Sequence, residues 1–425
     1  MKTRILCVLA MSLALTIGQG PASADELDDA FSASGRQDWR RAVELFTQAI
    51  DSGALSQVRL VQALGGRAGA YLHVRRYAEA LADCDRALTI DSRSGAALVN
   101  RALIEIWQQK LIPAIADLDV AIVSGELLKQ ELAQAHAARG HAWRLINDLD
   151  RATRDFDAAV DLDPAIIAAR VERGQIALAR GRYDAAMHDF DSALSLDATF
   201  VSAAVGRGAV LVARGRYDEA ITALDDAIAA DAENADAYHQ RAIARYYKGD
   251  YEGSIADSGA AVRLNPYLLM AWKYKGSAEF NTARFADAAL DFKAGQHGAE
   301  DNDYTSLWLY LARQRMPDEK SANFELQRRL SWKMHGPGIG QWPEPVLRFF
   351  AGQIGEAEVL KAATAGDPAA RPRQVCEARF YLAEEAIIAG DAKAARGRLQ
   401  QVLKECPAPT LERMTAAGEL ARLQN

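Results

Sequence analysis

Three aligned segments decide the fold of this chain: RGHAWRLINDLDRATRDFDAAVDLDP (139–164), RGQIALARGRYDAAMHDFDSALSLDA (173–198) and RGAVLVARGRYDEAITALDDAIAADA (207–232). They start 34 residues apart, and the same residue types return at the same offsets. The repeated residues are Gly140, Gly174 and Gly208; Ala152, Ala186 and Ala220; Phe156, Phe190 and Leu224; and Ala159, Ala193 and Ala227. A 34-residue period with this pattern predicts helix–turn–helix repeats. Such hairpins cannot bury their apolar faces alone, so they stack, and the sequence predicts an all-α solenoid.

Local signals agree with this prediction. Glycine or alanine at the eighth position of each repeat, with alanine at the twentieth, lets the two helices of a hairpin approach closely. Gly181 and Gly215 follow the first helix, where glycine suits a left-handed helix end. Asp163-Pro164 reads as a helix cap followed by a residue that is tolerated in the first turn. The pattern resembles the tetratricopeptide repeat (TPR) family, and this resemblance implies a right-handed superhelix of helical hairpins.

The same register extends in both directions and divides the chain. Residues 25–302 are predicted to form about eight TPR hairpins, and residues 303–345 a capping helix followed by a Gly/Pro-rich loop. Pro345 to Ala363 reads as one helix, and residues 346–425 as C-terminal helices with one further TPR-like hairpin. The charged and Gly/Pro-rich part, 316–345, is interpreted as a loop with packing or partner contacts.

The N-terminus reads as an export signal. Lys2 and Arg4 precede a short apolar run, and small residues end at Ala24, so residues 1–24 are predicted to be a signal peptide cleaved after Ala24. The predicted location is periplasmic or secreted. The net charge of −7 becomes −9 without Lys2 and Arg4, which argues against nucleic-acid binding. No apolar run is long enough to predict a membrane span.

Two columns of opposite charge run through the repeats. The basic column is Arg67, Arg101, Arg139, Arg173, Arg207, Arg241 and Lys275. The acidic column, sixteen residues later in each repeat, is Asp83, Asp117, Asp155, Asp189, Asp257 and Asp291, and Ala223 interrupts it. One interpretation is a charged track for an acidic ligand. The other, which the matched columns favour, is a ladder of ion pairs between helices.

A candidate peptide site is predicted on the first helices of the last two repeats. In TPR proteins the first helices form the concave groove, and here those positions turn aromatic and polar; they are His239, Tyr246, Tyr247, Lys273, Tyr274 and Phe280. Asn100 and Arg144 are polar exceptions in earlier repeats. Aromatic and cationic residues of this kind anchor peptides. Packing of the same residues against the C-terminal segment is the open alternative.

The remaining motifs predict no chemistry. Cys376 and Cys406 fall where the open ends of the last hairpin meet, so they are expected either to form a disulfide or to remain two separate thiols. We expect no catalytic residues, metal site or cofactor, because no metal-ligand spacing and no nucleophile motif occurs. The chain is therefore predicted not to be an enzyme.

The C-terminal part resembles a second, narrower family. Trp342-Pro343, then Phe349-Phe350-Ala351-Gly352, then CEARFYLAE (376–384) are similar to bacterial envelope TPR lipoproteins that act as homodimeric adaptors of cell-wall hydrolases. This chain lacks their lipid-bearing cysteine after the signal peptide and has more repeats. The sequence thus predicts an exported adaptor or scaffold whose concave groove binds peptide segments of envelope proteins. The alternative is a structural oligomerisation module of an envelope or secretion assembly.

Overall fold

A computed structural model of the protein describes residues 22–296, 303–316, 319–333 and 340–424. All regular structure in these ranges is helical, which confirms the predicted all-α fold. The predicted signal peptide lies outside the described residues, apart from Ala22–Ala24 in the first helix. None of the described helices is long and apolar enough to cross a membrane. The chain divides into two compact units, 1–206 and 207–425.

Sixteen helices between Ala22 and Ala294 form eight consecutive pairs. In unit 1 these are α1 (Ala22–Gly35) and α2 (Trp39–Asp51), α3 (Gln57–His73) and α4 (Tyr77–Ile90), α5 (Gly95–Trp107) and α6 (Leu111–Ser124), α7 (Lys129–Leu145) and α8 (Leu149–Leu162), and α9 (Ile167–Ala179) and α10 (Tyr183–Leu196). The division between the units falls within α11 (Val201–Ala213). Then follow α12 (Tyr217–Ala230), α13 (Ala235–Lys248), α14 (Tyr251–Leu264), α15 (Leu269–Asn281) and α16 (Phe285–Ala294).

The turn inside each hairpin uses one left-handed residue. Its φ is +69° at Gly181 and +73° at Gly215, as the two predicted glycine turns require. The same turn position is occupied without glycine in other repeats, by Gln37, Arg75, Gln109, Asn147 and Ala283, with φ between 60° and 64°. Stacking therefore imposes the turn even where the residue disfavours it, since the left-handed region costs a non-glycine residue about 1 kcal/mol.

Helix approach inside the hairpins depends on a complementary pair of residues. A Cβ added at Gly174 would lie 2.9 Å from the ring of Phe190, so the ring occupies the space that a side chain would need. Where the eighth position is glycine, its partners are Phe156, Phe190, Leu224 and Phe292; where it is alanine, they are Cys84, Leu118 and Ser258. The residue at the eighth position and the residue sixteen positions later therefore share one packing space between the two helices of a hairpin.

The two charge columns form a ladder of ion pairs between helices. This is the second of the two interpretations that the sequence allowed, and not the charged track for an acidic ligand. The guanidinium of Arg173 donates to both oxygens of Asp189, at 2.9 and 2.6 Å, and its third nitrogen donates to Asp157 of the preceding repeat at 2.8 Å. The same double link occurs at Arg101, Arg139 and Arg241. Each of these arginines joins the helices of its own hairpin and ties that hairpin to the one before.

The C-terminal part of unit 2 differs from two predictions. It contains α17 (Asp303–Gln314), α18 (Glu319–Lys333), α19 (Glu344–Phe350), α20 (Glu356–Thr364), α21 (Arg371–Ile388), α22 (Ala392–Glu405) and α23 (Leu411–Arg422). The interpretation of 316–345 as a loop is wrong over α18, where Ala322, Leu326 and Leu330 form a buried stripe at helical spacing. The single helix predicted from Pro345 to Ala363 is interrupted between α19 and α20, where Gly352 has a φ of +71°. Residues Gly336 to Ile339 lie outside the described residues.

The last hairpin is cross-linked. A disulfide joins Cys376 in α21 to Cys406, which follows α22. Of the two alternatives, a disulfide or two separate thiols, the structure contains the disulfide. Cys84 is buried and free.

Candidate functional site

The first-helix face of the last two repeats, formed by α13 and α15, carries the C-terminal helix α23. The hydroxyl of Tyr246 on α13 lies 3.4 Å from Oγ1 of Thr415 on α23, and both residues are fully buried. Nδ2 of Asn281 donates to the same hydroxyl at 2.9 Å, and Arg422 of α23 donates to the carbonyl of Asn281 at 2.8 Å. The surface predicted to hold a peptide thus holds a helix of the same chain.

This arrangement corrects the prediction for two residues. Tyr246 and Phe280 are both 0% exposed, and a fully buried ring cannot contact a bound peptide in this conformation. The Phe280 ring packs against Phe285 and Trp308, with centroids 5.1 and 5.5 Å apart. Both residues belong to the core of unit 2.

Tyr247 and Tyr274 lie at the border of the covered surface. Their hydroxyls are 3.2 Å apart, and the Tyr247 ring stacks on Tyr217 with centroids 5.8 Å apart. Tyr247 remains half-buried, whereas Tyr274 is buried. Burial raises the pKa of Tyr274 to about 12 and raises that of Tyr247 further. Both phenols therefore stay protonated at neutral pH and keep a hydrogen to donate.

His239 is a neutral buried imidazole beside this border. Its ring makes an edge contact with Tyr274 at 5.9 Å, and burial lowers the pKa of His239 to about 4. Within the part of the chain that the structure describes, its Nδ1 has no hydrogen-bond partner. The side chain is only 7% exposed, so it supports the aromatic residues more than it presents a charge.

Lys273 is the cation of the predicted set, and it stands among acids. Its ammonium lies 5.4 Å from the centroid of the Tyr304 ring, and the Tyr304 hydroxyl donates to Glu377 at 2.9 Å. Burial lowers the pKa of Lys273, and the charges of Glu412 and Glu377 oppose this shift. Burial also raises the pKa of Glu412, and the neighbouring Glu377 raises it further. The border therefore combines one half-buried lysine, whose ammonium is largely desolvated, with two buried carboxyl groups.

Sequence reasoning missed this second group of residues. Glu377 also accepts a hydrogen bond from the indole of Trp342, at 2.5 Å. Glu377 and Glu412 lie more than a hundred residues after Lys273, on α21 and α23, and no local spacing connects them. Both acids are buried, and buried acids also occur elsewhere on the same two helices, at Glu384 and Glu419, so the sequence gives no signal that singles them out.

Asn100 and Arg144 are apart from this site, in unit 1. Asn100 on α5 is 1% exposed and its Nδ2 donates to the carbonyl of Gly65 on α3 at 3.0 Å. Arg144 on α7 forms an ion pair with Glu172 on α9, and Nδ1 of His141 lies 3.3 Å from the same carboxylate. Both side chains thus join neighbouring first helices. Both belong to unit 1, whereas the other predicted site residues belong to unit 2.

The described residues contain no cluster of three or more His, Cys, Asp or Glu side chains that could hold a metal ion. The arrangement brings aromatic, hydroxyl and charged groups together, which are the groups that recognise other proteins.

Comparison with known proteins agrees with the repeat assignment. Two family models, both described as tetratricopeptide repeat, match residues 177–246 and residues 29–97 and 132–199. A DnaJ homolog subfamily C member 7 homolog from Dictyostelium discoideum is 31% identical over 85 residues, which are 20% of this chain. The match spans only 16% of the length of that relative.

Solved TPR structures show the same kind of similarity at low identity. YrrB, described as a TPR protein with an unusual peptide-binding site, is 19% identical, with a TM-score of 0.37, over 45% of this chain and 97% of its own. A tetratricopeptide repeat protein from Parabacteroides merdae is 19% identical, with a TM-score of 0.47, over 60% of this chain and 99% of its own. PilW, a type IV pilus biogenesis factor, is 18% identical, with a TM-score of 0.44, over 48% and 96%. The 34-residue pattern, the paired helices and the family models together identify residues 29–97 and 132–246 of this chain as tetratricopeptide repeats.

Proposed function

We propose that this protein is an exported, non-catalytic scaffold that binds a helical segment of another protein at the border of the first-helix face of α13 and α15, beside α23. TPR repeats mediate protein–protein interaction. The observation that supports the proposal is the seating of α23, because a helix of the same chain packs on this face and leaves half-buried aromatic and cationic residues at its edge. An amphipathic helix laid in a groove is a recurring mode of peptide recognition.

The binding surface that we propose is the border beside α23. Tyr217, Tyr247 and Lys273 are each half-buried there, so each keeps part of its side chain accessible. Tyrosines supply rigid apolar area with a hydrogen-bonding tip, and a cation beside them adds electrostatic attraction. The charges of Glu377 and Glu412 favour the charged form of Lys273, so the side chain keeps an ammonium for an acidic or aromatic partner.

Export is the second part of the proposal. Residues 1–24 have the features of a signal peptide, and a structural disulfide is typical of oxidising compartments. We expect the protein isolated from the cell envelope to begin at Asp25, as measured by intact mass and N-terminal sequencing. A protein recovered in the cytosol with Met1 intact and both cysteines reduced would contradict export.

The resemblance of the C-terminal part supports a class of partner. We propose that the partner belongs to envelope biogenesis, with cell-wall hydrolases as the first candidates. The supporting residues are Trp342-Pro343 and the segment 376–384, which includes Glu377 of the proposed border. The partner class and the binding surface can be tested separately.

The test is site-specific photo-crosslinking followed by capture of the full chain. A photoreactive residue at position 247 should crosslink a protein in envelope extract, and Lys273→Ala should reduce that product severalfold. The matched control is a photoreactive residue at Tyr267, which is 84% exposed but stands in the loop before α15. Equal crosslinking at both positions, or no effect of Lys273→Ala, would refute this surface. Tyr246→Ala is unsuitable, because it would also disturb the seating of α23.

A further inference from the structure

The helix α23 buries more polar than apolar side chains. Its buried residues are Leu411, Glu412, Thr415, Ala416 and Glu419. The two acids and the threonine, followed by Arg422, recur at spacings of three, four and three residues, so they form one stripe along the helix. A helix that is a permanent part of a core buries a mainly apolar stripe, whereas transient interfaces are more polar. The composition of this stripe is therefore typical of an exchangeable contact.

Two positions of the stripe are matched by hydrogen-bonding groups of α13 and α15. The Thr415 and Tyr246 hydroxyls lie 3.4 Å apart, and Arg422 donates to the main-chain carbonyl of Asn281 at 2.8 Å. These contacts depend on the residue type at each position of the seated helix and not on its connection to the rest of the chain. A helix of another protein that carries a hydroxyl and a cation seven residues apart can therefore make the same contacts.

A third position of the stripe is poorly matched. Nη2 of Arg315 donates to Glu419 of α23 at 3.3 Å and to Glu384 of α21 at 2.5 Å, so two acids share one nitrogen. Burial raises the pKa of Glu384 to about 8, and the charge of Glu419 adds to this shift. Within the described residues, Oε1 of Glu384, Nε of Arg315 and Oδ1 of Asn281 have no hydrogen-bond partner. The seating of α23 thus carries a cost that a better-matched helix would avoid.

The face beneath α23 is a binding site that the chain itself occupies: we propose that α23 is an internal ligand, which a helix of a partner protein with a similar polar stripe replaces on α13 and α15. The partner helix carries an acid, a hydroxyl, an acid or its amide, and a cation at positions i, i+3, i+7 and i+10. The acid at i corresponds to Glu412, whose charge favours the ammonium of Lys273. A glutamine at i+7 leaves Arg315 to Glu384 alone. This inference goes beyond the border surface proposed above, because it concerns the face that α23 covers.

The first test uses the full chain and a fluorescent peptide of residues 410–425, which contains α23. Thr415→Lys changes the internal ligand and leaves every residue of α13, α15 and α21 as it is. Because Thr415 is 0% exposed, a lysine there should release α23, and fluorescence anisotropy should show that the peptide binds this variant about tenfold or more tightly than it binds wild type. Ala417→Lys, on the exposed side of the same helix, is the matched control and should bind the peptide as weakly as wild type.

Hydrogen exchange and substituted peptides test whether the release is local and whether the stripe is recognised. In Thr415→Lys, α23 should lose its protection from exchange while α13, α15 and α21 keep theirs. A peptide that itself carries Thr415→Lys should not bind this variant. A peptide with Glu419→Gln should bind it severalfold more tightly than the native peptide, because only one carboxylate then competes for Arg315.

Equal binding of the native peptide by wild type and Thr415→Lys would overturn the proposal, as would no binding by either. A loss of protection that spreads through α13, α15 and α21 would also overturn it, since α23 would then be an inseparable part of the core. Weaker binding of the Glu419→Gln peptide would mean that α23 is already the best occupant, which removes the reason for exchange. These measurements need only purified protein, whereas crosslinking at position 247 uses envelope extract and wild type with α23 seated, so the two proposals can fail separately.

Discussion

The ion-pair ladder predicts that two carboxylates on the same arginine differ greatly in their contribution to stability. Arg173 donates two hydrogen bonds to Asp189, which is 3% exposed, and one to Asp157, whose side chain is 53% exposed. We expect Asp189→Ala to destabilise this part of unit 1 much more than Asp157→Ala. The comparison is internal, because the arginine is common to both variants.

The magnitudes follow from burial. Asp189→Ala removes the partner that compensates a guanidinium with only 20% side-chain exposure, and breaking such a pair costs about 3 kcal/mol. Asp157 stands mostly in water, where an ion pair contributes below about 1 kcal/mol. The hydrogen bond to Asp189 is the largest influence that raises the pKa of Arg173. An arginine stays charged even without it, so Asp189→Ala leaves a charged guanidinium with one partner fewer.

A local assay is needed, because long repeat arrays need not unfold in one cooperative step. Native-state hydrogen exchange measured by mass spectrometry reports the opening of α9 and α10 directly. Asp189→Ala should accelerate their slowest exchange roughly a hundredfold, since about 1.4 kcal/mol corresponds to a factor of ten. Asp157→Ala should change it less than about fivefold.

A double variant checks the cause. Arg173→Met with Asp189→Leu removes both charges at similar volume, and most of the stability should return, since replacing a buried pair by apolar residues is often neutral. Equal small effects of Asp189→Ala and Asp157→Ala would refute the reasoning. So would a double variant that exchanges as fast as Asp189→Ala.

Three further predictions concern the two units separately. Burial lowers the pKa of His239 from 6.5 to about 4, so on acidification the unfolded chain binds the proton before the folded chain does. The free energy of unfolding should therefore fall by on the order of 3 kcal/mol as the pH drops from about 6.5 to 4. His239→Gln should flatten this pH dependence, measured as the exchange rates of α13, and an unchanged slope would contradict the prediction. Replacing Cys376 and Cys406 by serine should lower the stability of the last hairpin by about 3 kcal/mol, as thermal melting should show, because the disulfide closes a loop with a sequence separation of 30; wild type in reductant is the control and should match the variant. Gly174→Ala should cost about 1–3 kcal/mol, because its Cβ would lie 2.9 Å from the Phe190 ring; hydrogen exchange of α9 and α10 should show a smaller cost in a Phe190→Ala background, and equal costs in both backgrounds would refute the steric cause.

The fold was predictable where the information is local and repeated. The 34-residue period predicts the hairpins, and the matched charge columns predict the ladder. Both signals are strong because the same residue types recur at the same positions in successive repeats. The helix α18 was missed because its charged residues outnumber the buried stripe of Ala322, Leu326 and Leu330. A stripe of three residues is weak evidence when it occurs once.

The candidate site was predictable only in part, because its geometry depends on distant segments. Tyr247 and Lys273 both lie at the border of α23, where the prediction placed accessible residues. Tyr246, in contrast, is covered by Thr415, 169 residues later in the sequence. A first-helix position looks the same in sequence whether it faces solvent or a later helix of the same chain. Glu377 and Glu412 escaped notice for the same reason.

The pairing of glycine with an aromatic ring also constrains how the repeats can diverge from one another. If alanine replaces the glycine first, the new methyl group overlaps the ring; if a smaller residue replaces the ring first, the hairpin is left with a void that neighbours can partly fill. A Cβ added at Gly208 would lie 2.7 Å from the side chain of Leu224, so the glycine is still required where the ring has been replaced. The two positions therefore have to change together if the hairpin is to keep its close packing.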